Sequence, residues 1–343
     1  MTTDKAQPRT RPTLEMVAAR AGVGRGTVSR VINGSPQVSE WARDAVMRAA
    51  EELGYEPNRA ARSLVTQRTD SIALVVSEPE DRVFAEPYFA GVVRGISSEL
   101  TETGMQLWLA MATSAEERSG IERQLTPVRV DGVILLSLHG DDTLPETLER
   151  RGVPTVLGGR LIGSADHHYV DVDNVAGARL AVDHLLARGR QRIATITGPP
   201  DMEAGVARLT GYREALTASG VGVSDELIAA GDFSERSGTA GMRELLDRRP
   251  DLDAVFAASD PMAIGALRVL KDSRHRVPDD VALVGFDGSP MAAHTDPPLT
   301  TVRQPVEEMG RNMARLLLAE IRGEDPVPSS IVLAPELIAG RSS

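Results

Sequence analysis

Apolar residues near the start of the chain recur with a helical period. Leu14, Val17, Ala18 and Ala21 fall at i, i+3, i+4 and i+7, which gives a first helix one apolar face. Thr13 stands where an N-cap is needed, since a threonine oxygen accepts from the free N–H groups of a first turn. Gly22 then permits a sharp reversal. Val28, Val31 and Ile32 form the apolar stripe of a second helix, whose other face presents Arg25, Thr27, Ser29, Arg30 and Asn33. Ser39 caps a third helix with Ala42, Ala45, Val46, Ala49 and Leu53 on its apolar side and Gly54 at its end. Pro57 breaks the pattern. Residues 58–64 (NRAARSL) have helical propensity but are too short to be stable alone, and residues 65–70 form a linker. Two short helices joined by a tight turn, the second polar on its outer face, predict a helix-turn-helix whose second helix enters the DNA major groove.

From Ser71 the period changes. Short apolar runs at 72–76, 107–112, 132–137 and 154–158 make one series, and runs at 169–172 (YVDV), 192–197, 254–258 and 281–286 make a second. Amphipathic helical stretches lie between most of them. This alternation predicts parallel sheets covered on both faces. The fold class is therefore α/β: an N-terminal all-α helix-turn-helix headpiece followed by a two-lobed core, with a ligand cleft at the carboxyl ends of the strands.

Charge sharpens the picture. A net charge of −11 argues against nucleic acid until its distribution is considered. Residues 1–69 hold eleven Lys or Arg against seven Asp or Glu, or +4, which leaves −15 for the remainder. A basic head on an acidic body places DNA at one end and repels it elsewhere. The chain has no cysteine, which excludes disulfides and thiolate sites and fits a reducing cytoplasm. The first residues are polar and proline-bearing, without the apolar run of a secretory leader, and no stretch reaches membrane-spanning length. The six histidines, His139, His167, His168, His184, His275 and His294, show no metal spacing. There is no Gly-x-Ser-x-Gly nucleophile elbow. No catalysis, cofactor or metal is expected. The glycine run from Gly22 to Gly26 suggests a nucleotide-binding loop, but no strand precedes it.

The run VAARAGVGRGTVSRVINGS, followed by VSEWARDAVMRAAEELGYEPNRAARSL, resembles the headpiece of the LacI/GalR transcription regulators. The Thr-Val-Ser-Arg-Val and Gly-Tyr-x-Pro-Asn-x-x-Ala-x-x-Leu blocks stand in that family's order and spacing. Within the family, the runs RSLVTQRTDSIALVVSEPE, FAEPYFAGVVRGI, VLGGR and GPPDMEAGVARLTGYREAL most resemble the cellobiose-responsive repressors of actinobacterial cellulase genes. The resemblance implies a periplasmic-binding-protein-like core crossed three times between lobes, near Val170, Val302 and Asp325. The domains are then 1–57 for the headpiece, 58–70 for a hinge helix and linker, and 71–341 for the effector-binding and dimerisation core. The first lobe takes about 71–170 and 303–324, the second about 171–302 and 325–341. No heptad segment follows Ile338, so a homodimer without an added tetramerisation helix is expected.

On the DNA side, Arg25 and Arg30 are the best base readers, because a guanidinium makes a bidentate contact to guanine worth about 1–3 kcal/mol of discrimination. Thr27, Ser29 and Asn33 hold phosphates or support the turn. Thr13, Gly24 and Gly26 complete the DNA-facing set, and the two glycines depart from the larger polar residues of many relatives. Leu64, flanked by Asn58, Arg59 and Arg62, resembles the family's minor-groove wedge; the alternative is packing on the core lobe. On the effector side the family pattern falls on Ser77, Phe89, Arg160, Arg208, Phe233, Ser259, Asp260 and Asp287. Paired hydrogen bonds from such groups suit the vicinal hydroxyls of a sugar, with core packing as the alternative for the phenylalanines and a structural ion pair for Asp260 and Arg208. Gly158 and Gly159 stand where many relatives carry an aspartate, so one sugar-binding carboxylate is expected to be missing. The reading is a repressor released by a sugar, with a purine corepressor as an alternative effector. A transporter's solute-binding protein lacks the headpiece, and a sugar-processing enzyme needs a poised carboxylate pair that the sequence does not assign.

Overall fold

The computed structural model describes residues 12–32, 35–55, 68–140, 142–163, 167–324 and 328–343. It divides at Thr69 and Asp70 into two compact units. In the first, α1 (Leu14–Ala21), α2 (Arg25–Ile32) and α3 (Glu40–Leu53) pack around Val17, Val28 and Val46, each fully buried. The Thr13 hydroxyl accepts from the Met16 N–H and the Ser39 hydroxyl from the Ala42 N–H. Gly22 and Gly54 end α1 and α3 at φ 68° and 60°, in the left-handed region where a glycine is cheap.

The second unit is a pair of lobes. The first lobe's sheet has the order β11-β5-β4-β3-β1-β2, all parallel: β1 is Ser71–Val76, β2 Gln106–Met111, β3 Gly132–Leu136, β4 Thr155–Gly158, β5 His168–Val172 and β11 Ser330–Leu333. Its helices are α4 (Glu80–Ala85), α5 (Pro87–Leu100), α6 (Ala115–Gln124), α7 (Leu144–Arg150) and α12 (Val306–Ile321). The second lobe's sheet has the order β12-β10-β9-β8-β6-β7. Here β6 is Ile193–Ile196, β7 Ile228–Ala229, β8 Ala254–Ala257, β9 Ala282–Asp287, β10 Thr300–Arg303 and β12 Glu336–Ile338, and β12 alone among these strands runs antiparallel to its neighbour. Its helices are α8 (Asn174–Ala187), α9 (Glu203–Ala218), α10 (Glu235–Arg248) and α11 (Asp260–Asp272). Strand alternation feeds two cores per sheet: Ile72, Leu74 and Val76 of β1 join one cluster, Ala73 and Val75 the opposite one.

Two sequence expectations need correction. The apolar spacing groups YVDV with the second series, yet β5 pairs with β4 (Leu157↔Tyr169) and with β11 (Val332↔Asp171), so it belongs to the first sheet. The resemblance puts the third crossing near Asp325, a residue outside those described. It falls instead between Leu333 and Glu336, because β11 docks on the open edge of β5 before the chain passes to β12. The segment assigned wholesale to the second lobe thus serves both. The first two crossings lie between Val172 and Asn174 and between Arg303 and Val306.

Helices α5 and α12 meet through glycines. A Cβ on Gly95 would lie 2.1 Å from the Glu307 carbonyl oxygen, and one on Gly310 2.3 Å from that of Val92. This close seat fixes the start of α5, which carries Tyr88 and Phe89 to the cleft.

Candidate functional site: the polar helix and the interlobe cleft

In the headpiece, Arg25 opens α2 and Arg30 stands in its last turn, both exposed. The Arg25 Nε lies 3.2 Å from the Glu15 carboxylate of α1, so its ion-pair partner is within its own unit. Thr27 and Val28 donate their N–H groups to the Gly24 carbonyl at 2.9 and 3.2 Å, which places Gly24 just before the helix and Gly26 in its first turn. Space around both glycines is open; a Cβ on Gly26 would meet only the tip of Arg30 at 3.9 Å. Thr27 and Ser29 are half-buried, and exposed Thr13 uses its hydroxyl as the α1 cap. Asn33, Asn58, Arg59, Arg62 and Leu64 lie outside the described residues.

Between the lobes, the carboxyl ends of β1, β3 and β4 face those of β6, β8 and β9 across a space of about 720 Å³, part of it open to solvent. Of the expected effector residues, Phe89, Arg160, Arg208, Phe233, Ser259 and Asp287 line it. Arg208, on α9, is almost wholly buried. Its Nε donates to the Asn174 side-chain oxygen at 2.9 Å, and an Nη donates to the Ala258 carbonyl at 2.6 Å while lying 3.6 Å from Asp287. Its guanidinium centre is 3.7 Å from the Phe286 ring centroid and 5.2 Å from that of Phe233, within cation–π range. Asp287 accepts from the Gln304 amide at 2.8 Å and holds φ at 115°, a left-handed conformation that costs a residue with a side chain about 1–3 kcal/mol. Ser259 donates to the Phe233 carbonyl and caps α11. Phe89 meets Tyr88 edge-on at 5.2 Å and also packs in the first lobe's core.

Two expected effector residues do not line this space. Asp260 is fully buried behind Asp287; it accepts from the Thr301 hydroxyl at 2.6 Å and the Ser289 N–H at 2.7 Å, and both oxygens are spent bracing β9 and β10. Burial and the adjacent Asp287 carboxylate push its carboxyl up. Ser77 gives its N–H to the Leu136 carbonyl and borders a neighbouring groove beside Thr113 and Thr143.

The cleft is more acidic than expected. Among the described residues, five carboxylates line it (Glu78, Glu86, Asp171, Glu203 and Asp287) with three arginines (Arg82, Arg160 and Arg208). Beside Gly158 and Gly159, Arg160 is paired with carboxylates from other segments of the chain. Arg160 Nε donates to Asp171 of β5 at 2.8 Å, and its Nη lies 3.0 Å from Glu203 of α9 on the other lobe. Glu78, Arg82 and Glu86 form an i,i+4 ladder around α4, with both ion pairs at 2.8 Å, and Arg82 lies 5.8 Å from the Phe233 ring. That spacing was readable in the sequence as a helical charge ladder. Asp171 and Glu203 gave no such signal, because their partner is distant in the chain. Burial raises the Glu86 carboxyl to about 7, with Arg82 opposing. A second tie between lobes joins His139 Nδ1 to Asp201 at 2.8 Å. Among the described residues, no group of His, Asp and Glu is arranged to hold a metal ion, and no helix is long and apolar enough to cross a membrane.

Residues 13–58 match the bacterial regulatory proteins, lacI family, and residues 182–343 match the periplasmic binding protein-like domain. The chain is 57% identical over 336 residues to the HTH-type transcriptional regulator CelR of Thermobifida fusca, covering 97% of this chain and 99% of that protein. It is 34% identical to the HTH-type transcriptional regulator AscG of Escherichia coli (strain K12), over 92% and 94% of the two chains. Among solved structures it resembles a transcriptional regulator CelR-cellobiose complex, with TM-score 0.79, 55% identity and coverage of 97% and 100%. It also resembles a lac repressor dimer bound to operator and the anti-inducer ONPF, with TM-score 0.85, 28% identity and coverage of 97% and 99%. A helix-turn-helix at residues 13–58, a two-lobed core behind it and near-complete coverage at these identities place the chain in the lacI family of bacterial regulatory proteins.

Proposed function

We propose that this chain is a cytoplasmic repressor that holds a near-palindromic operator as a homodimer and is released by a sugar, cellobiose or a related β-linked glucoside, in control of carbohydrate-utilisation genes. The observation that carries the reading is the cleft wall, where Phe233 lies beneath the guanidiniums of Arg82 and Arg208 with carboxylates around them. Charged planar groups packed on an aromatic ring suit the vicinal hydroxyls of a pyranose. The complex of CelR with cellobiose, a protein 55% identical to this chain, supports that choice of sugar. The operator-bound lac repressor dimer supports the DNA and the pairing.

In this reading Arg25 and Arg30 contact base edges, Thr27, Ser29 and Asn33 hold phosphates, and Leu64 with Asn58, Arg59 and Arg62 enters the minor groove. Phe89, Arg160, Arg208, Phe233, Ser259 and Asp287 contact the sugar, while Asp260 positions Asp287 through the strand end. Binding, not catalysis, is the activity: the cleft arginines already engage the carboxylates that a hydrolase would use. Sugar contacts on both lobes favour one lobe arrangement and operator another. Linkage then makes sugar weaken DNA binding by the factor that DNA weakens sugar binding, typically about 5- to 150-fold. Titrating cellobiose into the protein–operator complex tests this. Release is the expected result. Tighter operator binding makes the ligand a corepressor, and release by a different sugar alone discards cellobiose.

A further inference from the structure

Two carboxylates in the cleft are only half satisfied. Glu78, 4% exposed, lies with Oε2 2.8 Å from the Arg82 guanidinium, while its Oε1 is buried without a hydrogen-bond partner in the protein. Glu203 lies with Oε1 3.0 Å from Arg160, and its Oε2 is likewise buried and unpartnered. A buried carboxylate oxygen lacking a donor is costly, and a ligand O–H relieves that cost. The two residues stand on opposite lobes, one following β1 and the other opening α9. Their charged neighbours also differ: His139 and Asp232 beside Glu78, Asp171 and Arg208 beside Glu203. They therefore occupy different parts of the cleft.

Resting on the reading that the cleft takes a sugar, we propose that Glu78 and Glu203 determine its specificity: each accepts a ligand hydroxyl, one per lobe, and together they restrict the effector to neutral polyhydroxyl compounds. Sugar phosphates and sugar acids are rejected. The charge of the wall leads the same way. Acidic residues outnumber arginines along it, and each of Arg82, Arg160 and Arg208 is already held by a protein carboxylate. An arriving anion meets repulsion without a cation to spare among these. A neutral sugar brings the donors that the two glutamates lack. Burial holds both carboxyls above the ordinary range, as expected of acceptors short of donors.

Calorimetric titration of the full-length protein with cellobiose, cellobionate and glucose 6-phosphate reads the ranking directly. The wild-type chain should bind cellobiose at least about a hundredfold more tightly than either anion. Glu78→Gln and Glu203→Gln keep the side-chain shape and remove the charge. Each should weaken cellobiose about tenfold and narrow the gap to cellobionate. Wild-type protein that binds either anion as tightly as cellobiose overturns the proposal. So do two glutamine variants with wild-type cellobiose affinity and an unchanged gap. Should a variant lose the native circular dichroism spectrum, the wild-type ranking still decides. Failure of the wild-type chain to bind any neutral sugar is a different result, since it removes the sugar reading itself.

Discussion

Arg160 and Glu203 are joined across the cleft at 3.0 Å, one from each lobe, but Arg160 has a second and closer partner in Asp171. The Asp171 side chain is 5% exposed and that of Glu203 20%, so the two carboxylates depend unequally on the one guanidinium. Arg160→Ala removes the ion-pair partner of buried Asp171, whose Oδ1 keeps the Val172 N–H and the Asn174 amide while Oδ2 loses its donor. Breaking a fully buried pair costs about 3–5 kcal/mol; because about a third of the Arg160 side chain is exposed, roughly 2–3 kcal/mol is the expected loss here. Glu203→Ala leaves the Asp171 pair intact and should change stability by less than about 1 kcal/mol. Urea denaturation of both variants checks the asymmetry, and equal losses would contradict it.

On the headpiece, Arg25→Ala and Arg30→Ala should each relax base preference at a specific operator position, at about 1–3 kcal/mol per lost bidentate contact. Affinities against operators with single base changes decide it. Uniform loss over every sequence would make these arginines phosphate holders. Glu15→Gln, which frees Arg25 from its partner at 3.2 Å, should strengthen operator binding a few-fold at low salt and less at high salt.

The Glu86 carboxyl, raised by burial to about 7, makes stability depend on pH in a defined direction. Its folded pKa lies above the unfolded value of 4.5, so the folded chain retains a proton that the unfolded chain gives up. The stabilising contribution is present below about 4.5 and is lost as pH rises through 7. Glu86→Gln removes that loss. Relative to the wild type, the variant should gain about 2–3 kcal/mol between pH 5 and pH 8. Denaturation midpoints at the two pH values measure it, and a gain in the opposite direction would refute the assignment.

Glycine substitutions should split by sign. Gly95→Ala and Gly310→Ala press a methyl group into the facing helix backbone, with expected losses of roughly 1–3 kcal/mol or more. Gly26→Ala enters open space within α2 and should stabilise the headpiece by about 0.5–1 kcal/mol. Thermal unfolding of the three variants is the measurement.

The headpiece was legible because its signals are local. Thr13, Gly22, Ser39 and Gly54 cap and end the helices that the apolar period marks, and each interaction spans a few residues. The strands were legible as strands, but YVDV carries no mark of its neighbour, so its sheet could not be assigned from the sequence alone. β11 escaped notice for another reason: Ser330, Ile331 and Leu333 are only half-buried and Val332 is exposed, which leaves a weak apolar signal. In the cleft, Arg208 and Phe233 were legible through a motif. Asp171 and Glu203 were not, because a carboxylate becomes a cleft residue only when distant chain segments meet, and nothing local distinguishes it from a solvated one. Asp260 was misplaced for the converse reason: its type and position suit a ligand, and only its packing reveals that Thr301 and Ser289 hold both oxygens.

The two late strands have a consequence for how the molecule is made. β11 closes one sheet and β12 the other, while Ser342 exchanges hydrogen bonds with Leu283 and the Ser343 hydroxyl donates to Thr300. Neither lobe is therefore finished until residues 330–343 have left the ribosome, whereas the apolar core described for the headpiece draws on residues 14–55 alone. During synthesis the core of the three-helix headpiece is thus complete in sequence long before either sheet of the lobes is.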